Sequence, residues 1–568
     1  MTTTDIATPT TAELDAAITT LAEGATRWAT LTPRRRAAVL RETQRAIAAE
    51  AGVWTGTATA AKQVPSGSYE GEEWMSGPAA SAPMLAEYAA TLEKLGSGAS
   101  ALQGVKLGSA PGGRIAVRVL PGDAKDLVLF SGYTADVWLK PGVTEDQARR
   151  DAGLDAGKLD QAGGVGLVLG AGNISSIGPL DVVYELVAYN RASILKLNPT
   201  FAHLKPSYDR ALAPLVERDL VRIVNGGAEV GGYLAGHPDI VHVHITGSAR
   251  THDAIVWGPG AEGEANKQAG TPKLHKEMTS ELGGVSPIIV IPGDWSKRDL
   301  RFQAEHVVTQ RLHNAGHNCI GGQALVISRD WAQKDAFLAE IRAVLTSIQA
   351  RPPWYPGGAD RIAHAQQTYP AAEQVGSALL VPMTEGAPTE LYDGEYFAAV
   401  LGITELPGTG AEFFANAAAF ANDTLDGTLG ASIIVHPRDR RAMGERFDEV
   451  VASLRYGALG INVWSGIVFL LGGAAWGAYP GHTLDAVGSG IGVVHNTHLL
   501  ADTEKTVATG PFREFPRSLL AGEVSLAPKP PWFVTARTAA KSGKALARLG
   551  GKRSWRNTLR VVPPAMRG

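Results

Sequence analysis

Leu14, Ile18 and Leu21 recur at helical spacing, and the amphipathic pattern they open predicts helices over residues 12–50. Thr11 is the expected N-cap, and Pro33 suits the first turn of a second helix, where a missing N–H costs nothing. Residues 53–110, rich in Ala, Gly and Ser, show no usable period. Between 114 and 140 the period drops to two: 115–120, 127–130 and 135–139 alternate and break at Gly or Pro, as strands in hairpins do.

From 163 to 291 the pattern is most regular, with apolar β-runs at 165–169, 193–197, 221–224, 239–245 and 286–291 separated by amphipathic segments of helical length. This alternation predicts an α/β fold with a doubly wound, mainly parallel sheet. A second αβ series covers 298–347, with a helix at 302–312 and a strand at 324–327, and continues through 432–435 into the Gly-rich region 457–492. Pro528, Pro530 and Pro531 mark a linker. No internal repeat is visible.

The chain has 568 residues, 45% hydrophobic and 19% charged, the balance of a globular protein with two or three domains. Its single cysteine cannot form an intrachain disulfide, so a cytoplasmic home is expected. The N-terminus lacks the basic head and apolar run of a signal peptide. The most apolar stretch, 467–479, is interrupted by glycines and falls short of the roughly 20 residues that span a bilayer. Residues 529–568 hold ten Lys or Arg and no Asp or Glu against a net charge of −3, which makes the tail a basic arm on an acidic body.

Cys319 lies in His313-Asn-Ala-Gly-His-Asn-Cys-Ile-Gly-Gly322, between the predicted helix and strand. A thiol at such a turn can have its thiolate stabilised by backbone amides, although a lone cysteine is more often buried packing. His313, His317 and Cys319 also permit a metal reading, with the histidines at i and i+4, but no further ligand motif accompanies them and no metal is expected. Glu281, in Ser-Glu-Leu-Gly-Gly, could close a solvated turn or act as the base that activates water. Asn173, in Gly170-Ala-Gly-Asn, could close an Asx turn or donate to an oxyanion; the glycines there do not fit the GxGxxG fingerprint.

Taken in order, Asn173, Lys196 in Leu-Lys-Leu-Asn-Pro199, Thr246-Gly-Ser248, Glu281-Leu-Gly-Gly284, Cys319, Glu395-Tyr-Phe397 and Gly460-Ile-Asn462 resemble the aldehyde dehydrogenase superfamily. The resemblance implies that Cys319 attacks an aldehyde, that Asn173 and the Cys319 amide hold the oxyanion, and that Glu281 activates the water that hydrolyses the thioester. It also implies a Rossmann-like site for NAD or NADP. Lys196 would sit at the adenosine ribose, Gly247 and Ser248 near the pyrophosphate, and Glu395 and Phe397 at the nicotinamide end. Departures set the chain on an outlying branch: Pro199 replaces a Glu that favours NAD, Gly172 replaces an aromatic residue, Phe397-Ala-Ala399 replaces Phe-Gly-Pro, and 258–276 reads as an insertion. Arg250 could help a 2′-phosphate, with an exposed helix start as the simpler role.

By the same resemblance, residues 1–126 and 160–281 form the cofactor domain and 127–159 a β-hairpin oligomerisation segment with an exposed edge near 127–140. Residues 282–495 form the catalytic domain, and 496–568 a C-terminal extension running about 70 residues past the expected end. A homodimer or homotetramer acting on a small-molecule aldehyde is expected, with no nucleic-acid partner. The basic tail is read as an arm docked on a neighbouring acidic subunit, or as a peripheral membrane anchor built on a helix over 539–549 with Trp532, Phe533 and Trp555. Two other functions stay open: a catalytically silent fold that binds or supports, and a CoA-acylating enzyme, which the retained Glu281 disfavours.

Overall fold

A computed structural model describes residues 8–65, 67, 69–153 and 159–568. The N-terminal Met1–Asp5 segment and part of the 127–159 segment therefore lie outside the described residues. Two sheets organise the chain. The smaller has six strands in the order Gly490–Ile491, Glu277–Leu282, Ile240–Gly247, Val165–Leu169, Ala192–Lys196 and Val221–Val224. All its pairings are parallel except the first. Parallel strands covered on both faces read as continuous apolar runs, which is why four of them were visible in the sequence. The strand order reverses beside Val165–Leu169, and clefts form at the carboxyl ends of strands flanking such a switch point.

The larger sheet has eleven strands. It runs Leu107–Ala110, Arg114–Leu120, Thr134–Leu139, Thr503–Thr509, Ala458–Ile461, Gly430–Ile434, Ser286–Val290, Gly322–Ser328, Val400–Leu406, Ala378–Met383 and Glu373–Val375. Ser286–Val290, expected to continue the first parallel series, belongs here instead. The chain changes sheets through Gly283 and Gly284. A Cβ on the first would meet the Glu395 carboxylate at 2.1 Å, and one on the second the Gly427 backbone at 2.8 Å. No helix among the described residues is long and apolar enough to cross a membrane.

Several expectations are corrected. The first helix, Thr11–Ala29, is capped by Thr10, whose hydroxyl accepts from Glu13 N while the Glu13 carboxylate accepts from Thr10 N. Pro33 does open the helix Pro33–Ala61. Residues 127–130 are not a strand: Ala124–Leu129 is a helix, because Asp123 accepts from Lys125 N and Asp126 N and Asp126 caps back. Local capping outweighs alternation there, and Leu127 is left exposed. The strand Thr134–Leu139 has no free edge either, since it pairs with Arg114–Leu120 on one side and Thr503–Thr509 on the other.

That last pairing changes the view of the C-terminal region. Thr503–Thr509 lies inside the large sheet, and the basic tail folds onto its own chain. The helix Ala539–Gly551 packs on Glu70–Ser76 and Pro78–Leu95, with Gln44 Nε2 donating to the Gly550 carbonyl at 2.6 Å. Arg553 pairs with Asp123 and Asp126. Trp532, Phe533 and Val534 are buried.

Candidate active site

The strand Val165–Leu169 ends in Gly170-Ala-Gly-Asn173, the strand Ile240–Gly247 ends at Gly247 and Ser248, and Glu281 sits near the end of Glu277–Leu282. These ends open onto a cleft of about 920 Å³ that reaches Cys319. Its walls include all eight residues singled out above: Asn173, Lys196, Gly247, Ser248, Glu281, Cys319, Glu395 and Phe397. The structure therefore brings together groups spread over more than two hundred positions of sequence.

Cys319 is presented by a strained turn. The helix Lys297–Leu312 stops at His313, and Asn314, Ala315 and Gly316 then take φ of +55°, +57° and +80°. An alanine in the left-handed region is held only by its surroundings. Glu72 accepts from the Asn314 backbone at 2.9 Å, while the Asn314 side chain donates to the Asn173 carbonyl at 3.0 Å and to the His317 carbonyl at 2.8 Å. Beneath lies buried Lys62, donating to Glu73 Oε1 at 2.7 Å, to the Asn173 carbonyl at 2.7 Å and to Asn314 Oδ1 at 3.3 Å. The turn also removes the shared histidine face that the metal reading needs. His313 Nδ1 meets the Asn318 amide at 3.0 Å, and His317 Nδ1 meets the Phe397 carbonyl at 2.8 Å.

The Cys319 thiol donates toward Glu281 Oε1 at 3.6 Å, and the Trp476 indole N–H donates to the same oxygen at 3.1 Å. Burial pushes the Glu281 carboxyl up to about 7, against these two hydrogen bonds. Burial first, and then the Glu281 and Glu395 charges, raise the thiol well above its ordinary range. The backbone amide of Cys319 does favour the thiolate, as expected, but burial first and the two carboxylates next outweigh it, and the thiol proton has an acceptor in Glu281. Asn173 Nδ2 gives one hydrogen to the His317 carbonyl at 3.2 Å, and an amide carries a second.

Burial also raises Glu395, to about 8, helped by Glu281 and opposed by Arg311 and Arg361. Its Oε1 is buried and has no partner among the described residues, the state of an acceptor built for hydroxyl donors. Lys196 has its charge disfavoured by burial and no carboxylate partner among the described residues. Ser248 caps the helix Ala249–Val256 at the cleft wall, and Gly227 precedes the helix Ala228–Gly236, so two helix N-termini border the space. Together these groups fit a dinucleotide: the Glu395 carboxyl at the same end as the thiol, and the Lys196 cation and helix N-terminal amides along the rest of the cleft. Arg250 is exposed and does not line the cleft. From the segment read as an insertion, Lys273, Leu274 and Lys276 do.

Sequence reasoning missed Tyr355, Arg361 and Trp476. None stands in a recognisable local pattern, and each reaches the site through tertiary packing.

Residues 210–368 match the model of the aldehyde dehydrogenase family. A similar curated protein is the N-succinylglutamate 5-semialdehyde dehydrogenase of Sphingopyxis alaskensis, 33% identical over 134 residues, which are 23% of this chain and 24% of the relative. That match spans about a quarter of the relative's length. The fold is similar to aldehyde dehydrogenase C of Pseudomonas syringae, solved as a mutant with NAD+ and octanal (TM-score 0.58, 18% identity, 89% and 90% of the two chains). It is also similar to an NADP-dependent enzyme of Escherichia coli (TM-score 0.56, 17% identity, 88% and 89%).

Proposed function

We propose that the chain, which is similar to the aldehyde dehydrogenase family over residues 210–368 and in its fold, oxidises an aldehyde to a carboxylic acid, with Cys319 as nucleophile, Glu281 as base and NAD or NADP as oxidant. The observation that carries this reading is the 3.6 Å contact between the Cys319 thiol and Glu281 at the inner end of the 920 Å³ cleft. A bound nicotinamide dinucleotide supplies the acceptor for the hydride that leaves the substrate carbon. Lys196, Gly247, Ser248, Glu395 and Phe397 are the residues that would hold it.

Attack forms a bond from Cys319 Sγ to the aldehyde carbon while the thiol proton passes to Glu281. The carbonyl electron pair moves onto oxygen, where the free Asn173 amide hydrogen and the Cys319 backbone N–H receive it. Loss of the hydride restores the carbonyl as a thioester. Glu281, after passing its proton to solvent, accepts one from the attacking water; the hydroxide adds to the thioester and the C–S bond breaks, releasing the acid and a thiolate that takes the proton back from Glu281. A buried base poised over the thiol favours water over CoA as acceptor.

The test mixes the full chain with NAD or NADP and short, long and aromatic aldehydes without CoA, and follows absorbance of the reduced nicotinamide. Turnover with at least one pair is expected. Silence with both cofactors across the panel would contradict the reading.

A further inference from the structure

Behind Cys319, away from the dinucleotide cleft, lies a second cavity of about 50 Å³. Its wall is made chiefly by Met75, Trp464, Ile467, Phe469, Leu470 and Trp532. Glu281 and Cys319 stand at the junction of the two spaces, so this is where the carbon chain of an aldehyde must lie when its carbonyl reaches the sulfur. Among the described residues, no lysine or arginine lines it. His313, the one basic side chain in the wall among the described residues, is held below its usual range by burial. The buried cations Lys62 and Arg351 are committed to Glu73 and Glu72.

We propose that the substrate is a short, uncharged aliphatic aldehyde, and that the C-terminal tail selects it by closing the acyl cavity with Trp532. This rests on the oxidative reading above. At roughly 10–15 Å³ for each water-sized group, the cavity holds about three to five such groups. A terminal carboxylate would be desolvated beside Glu281 with no cation to pair with. The semialdehyde named for the Sphingopyxis relative is therefore the wrong chemistry for this wall. Trp532 comes from the region that reads in sequence as a linker into a basic arm, yet its ring packs edge-on against Tyr133 at 5.8 Å and joins the apolar cluster around Cys319.

The experiment compares butanal, succinic semialdehyde and decanal with the full chain. It measures kcat/KM from reduced nicotinamide and, independently of turnover, the protection of Cys319 from iodoacetamide by each aldehyde. Butanal is expected to exceed succinic semialdehyde by roughly 100-fold or more in kcat/KM, to exceed decanal, and to protect the thiol best. Equal or better use of the semialdehyde or of decanal would overturn the proposal while leaving aldehyde oxidation standing. Protection by butanal without turnover would support this cavity while sinking the oxidative reading. Trp532→Ala should move the preference toward longer aldehydes, with Trp532→Phe moving it less in the same direction; an unmoved preference in a folded variant would show that the tail does not wall the site.

Discussion

Lys62→Met removes a fully buried ammonium from beneath the turn that presents Cys319. Lys62 and Glu73 are 0% and 1% exposed, and the pair is joined at 2.7 Å. Burial disfavours the Lys62 charge, and Glu73 opposes that effect. Without the ammonium, Glu73 is an uncompensated buried carboxylate, a defect that costs about 3–5 kcal/mol. The Asn173 carbonyl keeps only the Asn314 amide donor, so the Asn173 amide proposed to receive the oxyanion shifts; a displacement of about 1 Å is worth about 100-fold in rate. Urea unfolding of the full chain, followed by tryptophan fluorescence, should show the loss of stability, and stopped-flow acylation the loss of rate. Lys62→Met with Glu73→Gln should recover part of the stability, because a neutral amide replaces the stranded charge. A single variant that loses under about 1 kcal/mol, with no gain in the double variant, would refute the reasoning.

Other outcomes follow from the same geometry. The Glu281 carboxyl titrates at about 7 and acts as base only when ionised, so thioester hydrolysis should rise with pH through about 7 and level above it; a rate flat between pH 5 and 8 in single-turnover decay of the acyl-enzyme would contradict this. Trp476→Phe deletes the 3.1 Å hydrogen bond that favours the Glu281 charge, so that profile should move up by about one unit, checked by the same decay measured across pH. Asn173→Ala should slow acylation by about 10²- to 10³-fold while cofactor affinity, read by nicotinamide fluorescence, stays put.

Much of the small sheet was legible because interior parallel strands are apolar throughout; 165–169 and 221–224 coincide with the observed strands. Motif order singled out eight residues, and the cleft gathers them along its walls. What was hidden depends on partners distant in sequence. Thr503–Thr509 carries Glu504 and Lys505, which look solvated, yet both are buried: Arg114 pairs with Glu504 at 2.7 Å, and the Ala452 and Leu454 carbonyls accept from Lys505. The helix at Ala124–Leu129 is decided by the capping pair Asp123 and Asp126 rather than by its apolar pattern. Trp476 and Trp532 sit in Gly- and Pro-rich stretches without a period, and only the folded chain sets them around Cys319.

Glu281→Gln tests the central claim most directly, since it keeps the shape of the site but removes the base that frees the acyl group. Mixed with cofactor and butanal, it should give a burst of reduced nicotinamide matching the enzyme concentration. Mass spectrometry should then find the butanoyl group on the peptide carrying Cys319. An acyl group on another residue, or reduction undiminished in Cys319→Ala, would contradict the account.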